Sequence, residues 1–152
     1  MTTRKSVLVY LVNKNRVCLG MKKVGYSKGK WNGFGGRIEK GEGGLEAAAR
    51  EVWEEAGVRI KEGDLIKKAS FYYYEPEGDW QVEVFVCKRW QGEVAESEEM
   101  RPEWFETNKL PLGQMWENDK LWIERVLVSE DVLEGTFWHD NEGKVLRWEI
   151  NR

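Results

Sequence analysis

Three glutamates are spaced so that their carboxylates could act together. Glu51, Glu54 and Glu55 stand at i, i+3 and i+4, which places all three on one face of a helix. Like charges this close repel each other, and without a cation their pKa values rise. Carboxylate oxygens suit Mg²⁺ or Mn²⁺, and ions held this way share their coordination with phosphates and activate water. From these residues alone, a solvated acidic face is the other interpretation.

The glutamates lie in a segment with a helical period. Apolar residues recur at i, i+3, i+4, i+7 and i+11, which predicts one apolar stripe on a helix over 43–56. The stripe consists of Leu45, Ala48, Ala49, Val52 and Ala56. Gly57 follows where a C-terminal glycine is expected.

Short β-rich runs flank this helix. They predict a hairpin over 7–21, strands over 65–74 and 80–90 joined by a turn, a short strand at 104–105, and a C-terminal hairpin over 135–150. A second helix is predicted over 116–128. The order of strands and helices indicates an α/β fold with a mixed sheet between helices, in a single domain over residues 1–152.

Composition excludes several classes of protein. Of 152 residues, 41% are hydrophobic and the net charge is −3, which argues against disorder and against binding a nucleic acid polymer. No run is long enough for a membrane span, and no signal peptide is apparent. Cys18 and Cys87 follow no metal-binding spacing and indicate buried thiols in a reducing, cytoplasmic setting. Nine tryptophans suggest a stacking pocket for a flat ligand.

The loop and helix together carry a long, gapped pattern. The pattern reads Gly36, five residues, Glu42, seven residues, Arg50-Glu51-Val52, one residue, Glu54-Glu55, one residue, Gly57-Val58. It resembles the Nudix hydrolase box at every defined position. The resemblance implies an α/β/α sandwich around a mixed sheet. It also implies divalent-metal hydrolysis of a nucleoside diphosphate linked to a further group.

Segments outside the box narrow the resemblance. Residues 20–23, 31–36, 99–105 and 115–116 look like the oxidised purine nucleoside triphosphatases within this family. That likeness implies Mg²⁺-dependent hydrolysis (Mn²⁺ as a substitute) of 8-oxo-dGTP, 2-hydroxy-dATP and similar triphosphates. The products are nucleoside monophosphate and pyrophosphate, with attack at the β phosphorus. It implies a monomeric enzyme that sanitises the nucleotide pool.

The same likeness assigns expected roles at the phosphate end. The metal ligands are expected to be Glu51, Glu54, Glu55, Glu99 and the carbonyl of Gly35. Glu55 and Glu99 are rival general bases, since sequence gives no geometry for the attacking water. Arg50 is expected to fix the rotamers of the carboxylates, and Lys22 to meet phosphate as a point charge.

A base pocket is implied at the other end. Its expected members are Tyr26, Asn32, Phe34, Gly35, Gly36, Phe71, Trp80, Trp116, Glu117, Asn118 and Asp119. Trp116 offers a flat face to a purine, and Asn32 offers a donor and an acceptor. Without the likeness, Phe71 and Trp116 could equally be core, and Asn32 could simply close a turn.

Three residues depart from the pattern of the likeness. Asn118 stands where the relatives have an aspartate next to Asp119, so this position cannot switch by protonation, and its amide can only flip. Val7 replaces a threonine hydroxyl, and Trp80 replaces a methionine. We therefore expect purine binding with a narrowed or shifted preference among modified bases.

Two alternatives remain open at this point. The same box serves Nudix enzymes that act on dinucleoside polyphosphates or ADP-ribose, because the substrate pocket lies outside it. A non-catalytic nucleotide-binding module is the third possibility, although every box glutamate is present. His139, the sole histidine, is interpreted as a surface or half-buried structural residue.

Overall fold

The protein is described here from a computed structural model that covers residues 3–151. Met1, Thr2 and Arg152, which the single domain over 1–152 was expected to include, lie outside the described residues. Within that range the chain forms nine strands, two α-helices and three 3₁₀ turns. No helix among these residues is long and apolar enough to cross a membrane.

All nine strands belong to one mixed sheet. They are β1 (Arg4–Asn13), β2 (Arg16–Lys22), β3 (Trp31–Asn32), β4 (Phe34–Arg37), β5 (Leu65–Tyr74), β6 (Trp80–Cys87), β7 (Met100–Glu106), β8 (Leu133–His139) and β9 (Val145–Asn151). The main order is β3-β2-β1-β6-β5-β8-β9, with β4 paired to β1 and β7 paired to β2. The pairs β1–β6 and β5–β8 are parallel, and the other pairs are antiparallel.

Alternation along β1 shows how the sheet is covered on both faces. Val7, Val9 and Leu11 pack on one side with α1 (Gly44–Ala56), whereas Leu8 and Tyr10 pack on the other side. The second side also receives α2 (Ile123–Val128) through its buried residues. Successive strand residues point to opposite faces, so a strand apolar at every position must lie between two layers. The predicted α/β/α sandwich is therefore confirmed.

Helix α1 ends at Gly57, whose φ of 73° is the left-handed conformation that glycine adopts most readily. Its buried face is rotated from the predicted stripe. Ala47 and Glu55 are buried, whereas Leu45 is exposed and Ala49 is half-buried. The helix face towards the sheet thus includes the carboxyl group of Glu55.

The predicted second helix is wrong over its first half. Residues 116–122 form an irregular segment with a 3₁₀ turn at Asp119–Leu121, and α2 begins only at Ile123. The side chains of Trp116 and Asn118 bond to distant parts of the chain instead of lying on a helix surface. Asn and Asp compete with helical bonding through their own side chains, which fits an irregular path here.

Candidate active site

Glu55 is the most buried acidic residue of the Nudix-like segment. Its exposed fraction is 2%, and its Oε1 accepts a hydrogen bond of 2.8 Å from the backbone N–H of Gly35 in β4. A side chain at position 35 would overlap the β1 backbone, so only glycine lets β4 pass this closely. Burial raises the pKa of Glu55 to about 8, and the negative charges of Glu51 and Glu99 add to the rise. This carboxyl group can therefore hold or release a proton near neutral pH.

Arg50 organises the other carboxylates of the helix. Its Nε and Nη2 donate to both oxygens of Glu42 at 2.7 and 3.0 Å, and its Nη1 donates to Glu51 at 2.7 Å. Glu54 lies 3.3 Å from the same Nη1. A guanidinium with two parallel bonds to one carboxylate holds a defined orientation. These bonds hold Glu42 and Glu51 in defined orientations next to Arg50.

The three glutamates of the sequence pattern do not present a common solvated face. The side chain of Glu54 is 53% exposed, whereas that of Glu55 is 3% exposed and faces the sheet. Glu51 lies against Gly36, where an added Cβ would come within 2.7 Å of its carboxyl group. Burial is the main cause that raises the pKa of Glu51, while the hydrogen bond and the positive charge of Arg50 lower it. The glycine pair 35–36 therefore lies next to both Glu51 and Glu55.

Lys22 lies between two of the expected metal ligands. Its Nζ is 3.3 Å from Glu99 Oε2 and 3.9 Å from Glu55 Oε2. Glu99 is 56% exposed and reaches this position from the loop before β7. A flexible ammonium group at this point can leave the carboxylates and follow a phosphate group.

One cavity of about 360 Å³ joins Lys22 and Glu55 to an aromatic and polar pocket. The expected site residues Arg50, Glu51, Glu54 and Glu99 do not line it. Of the residues expected at the site, ten line it: Lys22, Tyr26, Asn32, Gly35, Gly36, Glu55, Trp80, Trp116, Asn118 and Asp119. A cleft of this size, mostly apolar with a few convergent polar groups, is typical of a small-molecule site.

Trp116 is held in place from several sides. Its Nε1 donates to Ser27 Oγ at 3.1 Å, and Tyr26 stacks on it with ring centroids 5.2 Å apart. The Nζ of Lys30 lies 4.7 Å from the ring centroid. Gly143, in the β8–β9 turn, lies so close that a Cβ there would meet the indole at 2.5 Å. The indole plane is thus set by two separate loops.

Two amides in the cavity each have one orientation. Asn118 Oδ1 accepts from Tyr73 Oη at 2.9 Å and from Trp122 Nε1 at 3.2 Å. Asn32 Oδ1 accepts from the backbone N–H of Gly33 at 2.8 Å, and it also accepts from a tyrosine hydroxyl. An indole N–H and a backbone N–H can only donate, so each oxygen is fixed. The expectation that Asn118 can flip is therefore corrected.

Asp119 is an acidic residue at the same end of the cavity. It is 3% exposed, and its Oδ2 has no hydrogen-bond partner within residues 3–151. Burial raises its pKa to about 7, while a backbone hydrogen bond at Trp116 and the charges of Lys30 and Lys120 act in the opposite direction. A buried carboxyl oxygen without a partner is costly, and a ligand with N–H groups would supply further donors to this carboxyl group.

Three expected members of the base pocket do not line the cavity. Phe34 is fully buried between the sheet and α1, because β4 turns its ring towards the helix. Phe71 packs in the opposite core against Trp122. Glu117 is exposed, and its Oε1 accepts from the backbone N–H of Val145 in β9 at 3.1 Å. Their side chains support the walls or the hairpin and do not face a ligand.

Sequence reasoning missed Tyr73, Glu75 and His139, which all line the cavity. His139 is 4% exposed, so its interpretation as a surface or half-buried residue is wrong. The burial of His139 could have been predicted from β8, because Phe137 is buried and every second residue of a strand lies on the same face. Its Nδ1 lies 3.4 Å from Glu75 Oε2.

Comparison with known proteins identifies the family to which this arrangement belongs. The profile of the Nudix domain matches residues 2–126, well over half of the chain. The chain belongs to the Nudix hydrolase family. Its α/β/α architecture is similar to a MutT protein of Bacillus halodurans, with a TM-score of 0.84 and 29% identity over 97% of both chains.

Two curated Nudix relatives cover most of the chain. The oxidized purine nucleoside triphosphate hydrolase of Danio rerio is 42% identical over 132 residues, which is 87% of this chain and 85% of the relative. The mouse protein of the same name is 33% identical over 149 residues, which is 98% of this chain and 95% of the relative.

Nudix hydrolases generally need a divalent metal ion. The donors next to the glycine pair are carboxylate oxygens, the ligands that hard divalent cations prefer. The negative charges of Glu51 and Glu99 raise the pKa of Glu55, a repulsion that a cation would relieve. In the described part of the chain, no three acidic, histidine or cysteine side chains are yet close enough to share an ion. The donor set of this Nudix hydrolase fits a divalent cation, provided that Glu54 and Glu99 exchange their present basic partners for it.

Proposed function

We propose that this Nudix hydrolase converts oxidised purine nucleoside triphosphates, of the 8-oxo-dGTP and 2-hydroxy-dATP class, to monophosphate and pyrophosphate. It would act with Mg²⁺ as a monomeric single domain of the cytoplasm that sanitises the nucleotide pool. The relatives in zebrafish and mouse are named oxidized purine nucleoside triphosphate hydrolases. The cavity of this chain supports the same activity.

One observation carries the proposal. A single continuous cavity has Lys22 and Glu55 at one end and Asn32, Trp116 and Asp119 at the other. The first end suits a charged phosphate chain beside carboxylates, and the second suits a flat base with hydrogen-bonding edges. A nucleotide is the kind of ligand that needs both ends at once.

The residues of the chain would divide the work by position. Lys22 would exchange its contacts with Glu55 and Glu99 for a phosphate oxygen. Arg50 would keep Glu51 oriented. When bound, a divalent cation supplies the positive charge that offsets the triphosphate and polarises its phosphorus–oxygen bonds.

Glu55 is the residue best placed to take a proton from the attacking water. Its carboxyl group lines the cavity, and the backbone N–H of Gly35 fixes its orientation, as a base within hydrogen-bond reach of a substrate water requires. Glu99 is 56% exposed and is not among the residues that line the cavity. We therefore favour Glu55 over Glu99 as the general base.

The first experiment is a pyrophosphate-release panel with Mg²⁺. Its substrates are 8-oxo-dGTP, 2-hydroxy-dATP, O6-methyl-dGTP and dGTP, with diadenosine tetraphosphate and ADP-ribose followed by a phosphatase-coupled readout. A preference for modified purine triphosphates over dGTP supports the proposal. Activity on the last two alone would keep the Nudix chemistry and refute the base pocket, and silence throughout would indicate a binding module.

Glu55→Gln tests the role of this residue. We expect kcat to fall roughly a hundredfold or more, the range for loss of a general base. The free energy of unfolding at neutral pH should not fall, because an amide replaces a carboxyl group whose charge burial opposes. Glu62→Gln, an exposed glutamate outside the cavity, is the matched control and should leave both quantities unchanged. An unfolded Glu55→Gln variant would show that the residue is structural.

A further inference from the structure

The base-binding end of the cavity has a fixed pattern of hydrogen-bond donors. Asn118 Oδ1 is already bonded by two donors, Tyr73 Oη and Trp122 Nε1. Turning the amide would set its NH₂ group against the indole N–H, donor against donor, at a residue that is 8% exposed. Asn118 therefore offers only its NH₂ group to a ligand.

Asn32 is fixed in the same sense. The backbone N–H of Gly33 and the hydroxyl of Tyr10 both lie within 3.0 Å of its Oδ1. Neither amide nitrogen, of Asn32 or of Asn118, donates a hydrogen bond elsewhere in the described structure, and neither is among its buried unpartnered atoms. Since both residues line the cavity, their NH₂ groups are open to it.

Asp119 supplies the matching acceptor. It follows Asn118 in the chain, lines the same cavity, and is 3% exposed with Oδ2 unpartnered. A carboxylate has two acceptor oxygens, so the backbone hydrogen bond at Trp116 leaves acceptor capacity on this buried group unfilled. A ligand that brings two neighbouring N–H groups satisfies it best.

We propose that this pocket selects purines of the guanine type, with a 6-oxo group beside N1–H and a 2-amino group, over purines with a 6-amino group. The inference rests on the proposed function and names the substrate class more closely. The N1–H and 2-amino groups meet the carboxyl group of Asp119, and the adjacent 6-oxo group meets the NH₂ of Asn118. Adenine in the same placement sets its 6-amino donor against the Asn118 donor, whatever the protonation state of Asp119.

The chain cannot adapt to the second base by turning Asn118, because Trp122 holds it. The purine ring also has little room to move to another placement, because the indole of Trp116 beside it is fixed by Ser27 and by the close approach of Gly143. One unpaired buried polar group reduces binding roughly tenfold or more. We expect a preference of at least that size.

The test measures equilibrium binding of monophosphates, so it does not depend on turnover. Calorimetry compares 8-oxo-dGMP, 8-oxo-dIMP and 8-oxo-dAMP, which share the oxidised ring and differ at positions 2 and 6. We expect 8-oxo-dGMP to bind at least tenfold more tightly than 8-oxo-dAMP, with 8-oxo-dIMP between them. Equal Kd values for 8-oxo-dGMP and 8-oxo-dAMP, or no binding of either, would overturn the inference.

Two variants sharpen the result. Asn118→Asp replaces the fixed donor by an acceptor and should narrow the ratio of the two Kd values at least tenfold. Glu117→Gln changes the neighbouring carboxyl group, which bonds to β9 outside the cavity, and should leave the ratio unchanged. An unchanged ratio in Asn118→Asp refutes the assignment. If 8-oxo-dGMP binds as expected but 8-oxo-dGTP is not hydrolysed, the proposed function fails while the inference stands.

Discussion

Replacing Asp119 by asparagine should make the protein more stable at neutral pH. Burial raises the pKa of this carboxyl group from its ordinary value of 3.8 to about 7. Between these two values the folded protein holds a proton that the unfolded chain has released. Unfolding then releases that proton, so the stability that Asp119 contributes falls as pH rises and levels off above pH 7.

The structure gives the size of the effect. The difference between 3.8 and about 7 corresponds to about 4 kcal/mol at 1.4 kcal/mol for each pH unit. Most of it, about 3 kcal/mol, accumulates between pH 4.5 and 7.5, where proteins of this kind are easily handled. Asp119→Asn keeps the shape of the side chain but has no charge to bury, so it should escape this penalty.

Urea unfolding of both proteins across that pH range, without metal or nucleotide, measures the difference in free energy of unfolding. Subtraction removes the contribution of other groups, such as Glu55, that titrate in the same range. Asp140→Asn is the control of opposite sign, because the backbone N–H groups of Lys144 and Glu142 lower the pKa of that exposed carboxyl group. Its charge stabilises the protein above the ordinary pKa, and that contribution is lost as pH falls. A wild-type minus Asp119→Asn difference that is flat with pH would refute the burial argument.

Three further outcomes follow from the packing. Gly35→Ala would overlap the β1 backbone and should cost about 3 kcal/mol of unfolding free energy in urea; a neutral effect would contradict the close approach of β4. Arg50→Lys loses the paired bonds to Glu42 and should cost about 1–2 kcal/mol in the same assay, and an unchanged midpoint would show that the pairing is not stabilising. Burial raises the pKa of Cys18 to about 12 and also raises that of Cys87, so neither should react with a thiol reagent before the protein unfolds; labelling of the folded state would show that the core opens.

The parts of the fold that the sequence predicted well are those set by local patterns. The β1–β2 hairpin, the helix ending at Gly57 and the C-terminal hairpin all follow from periodicity and turn residues. The rotation of α1 about its axis does not follow from periodicity, because a helix that carries both Leu45 and Ala47 can bury either of two faces. The N–H of Gly35, brought in by β4, and the nearby ammonium group of Lys22 favour the buried carboxyl group of Glu55.

The base-binding end depended on contacts that no local pattern contains. Trp116 bonds to Ser27, 89 positions away in the chain, and Asn118 bonds to Tyr73, 45 positions away. Ser27 lies in the loop between β2 and β3 and Tyr73 lies in β5, so only the folded chain brings these partners together. The family likeness supplied most of the pocket residues, but not the orientation of the amides.

The turn between β8 and β9 has a consequence for engineering. Exposed hairpin turns are usually where a chain accepts inserted residues or grafted loops. Here Gly143 has a φ of 80° and lies against the indole of Trp116. A graft at this turn would displace the indole on which we propose that the nucleotide base stacks. Among the surface loops, this one should be treated as part of the ligand pocket and left intact when the protein is fused or redesigned.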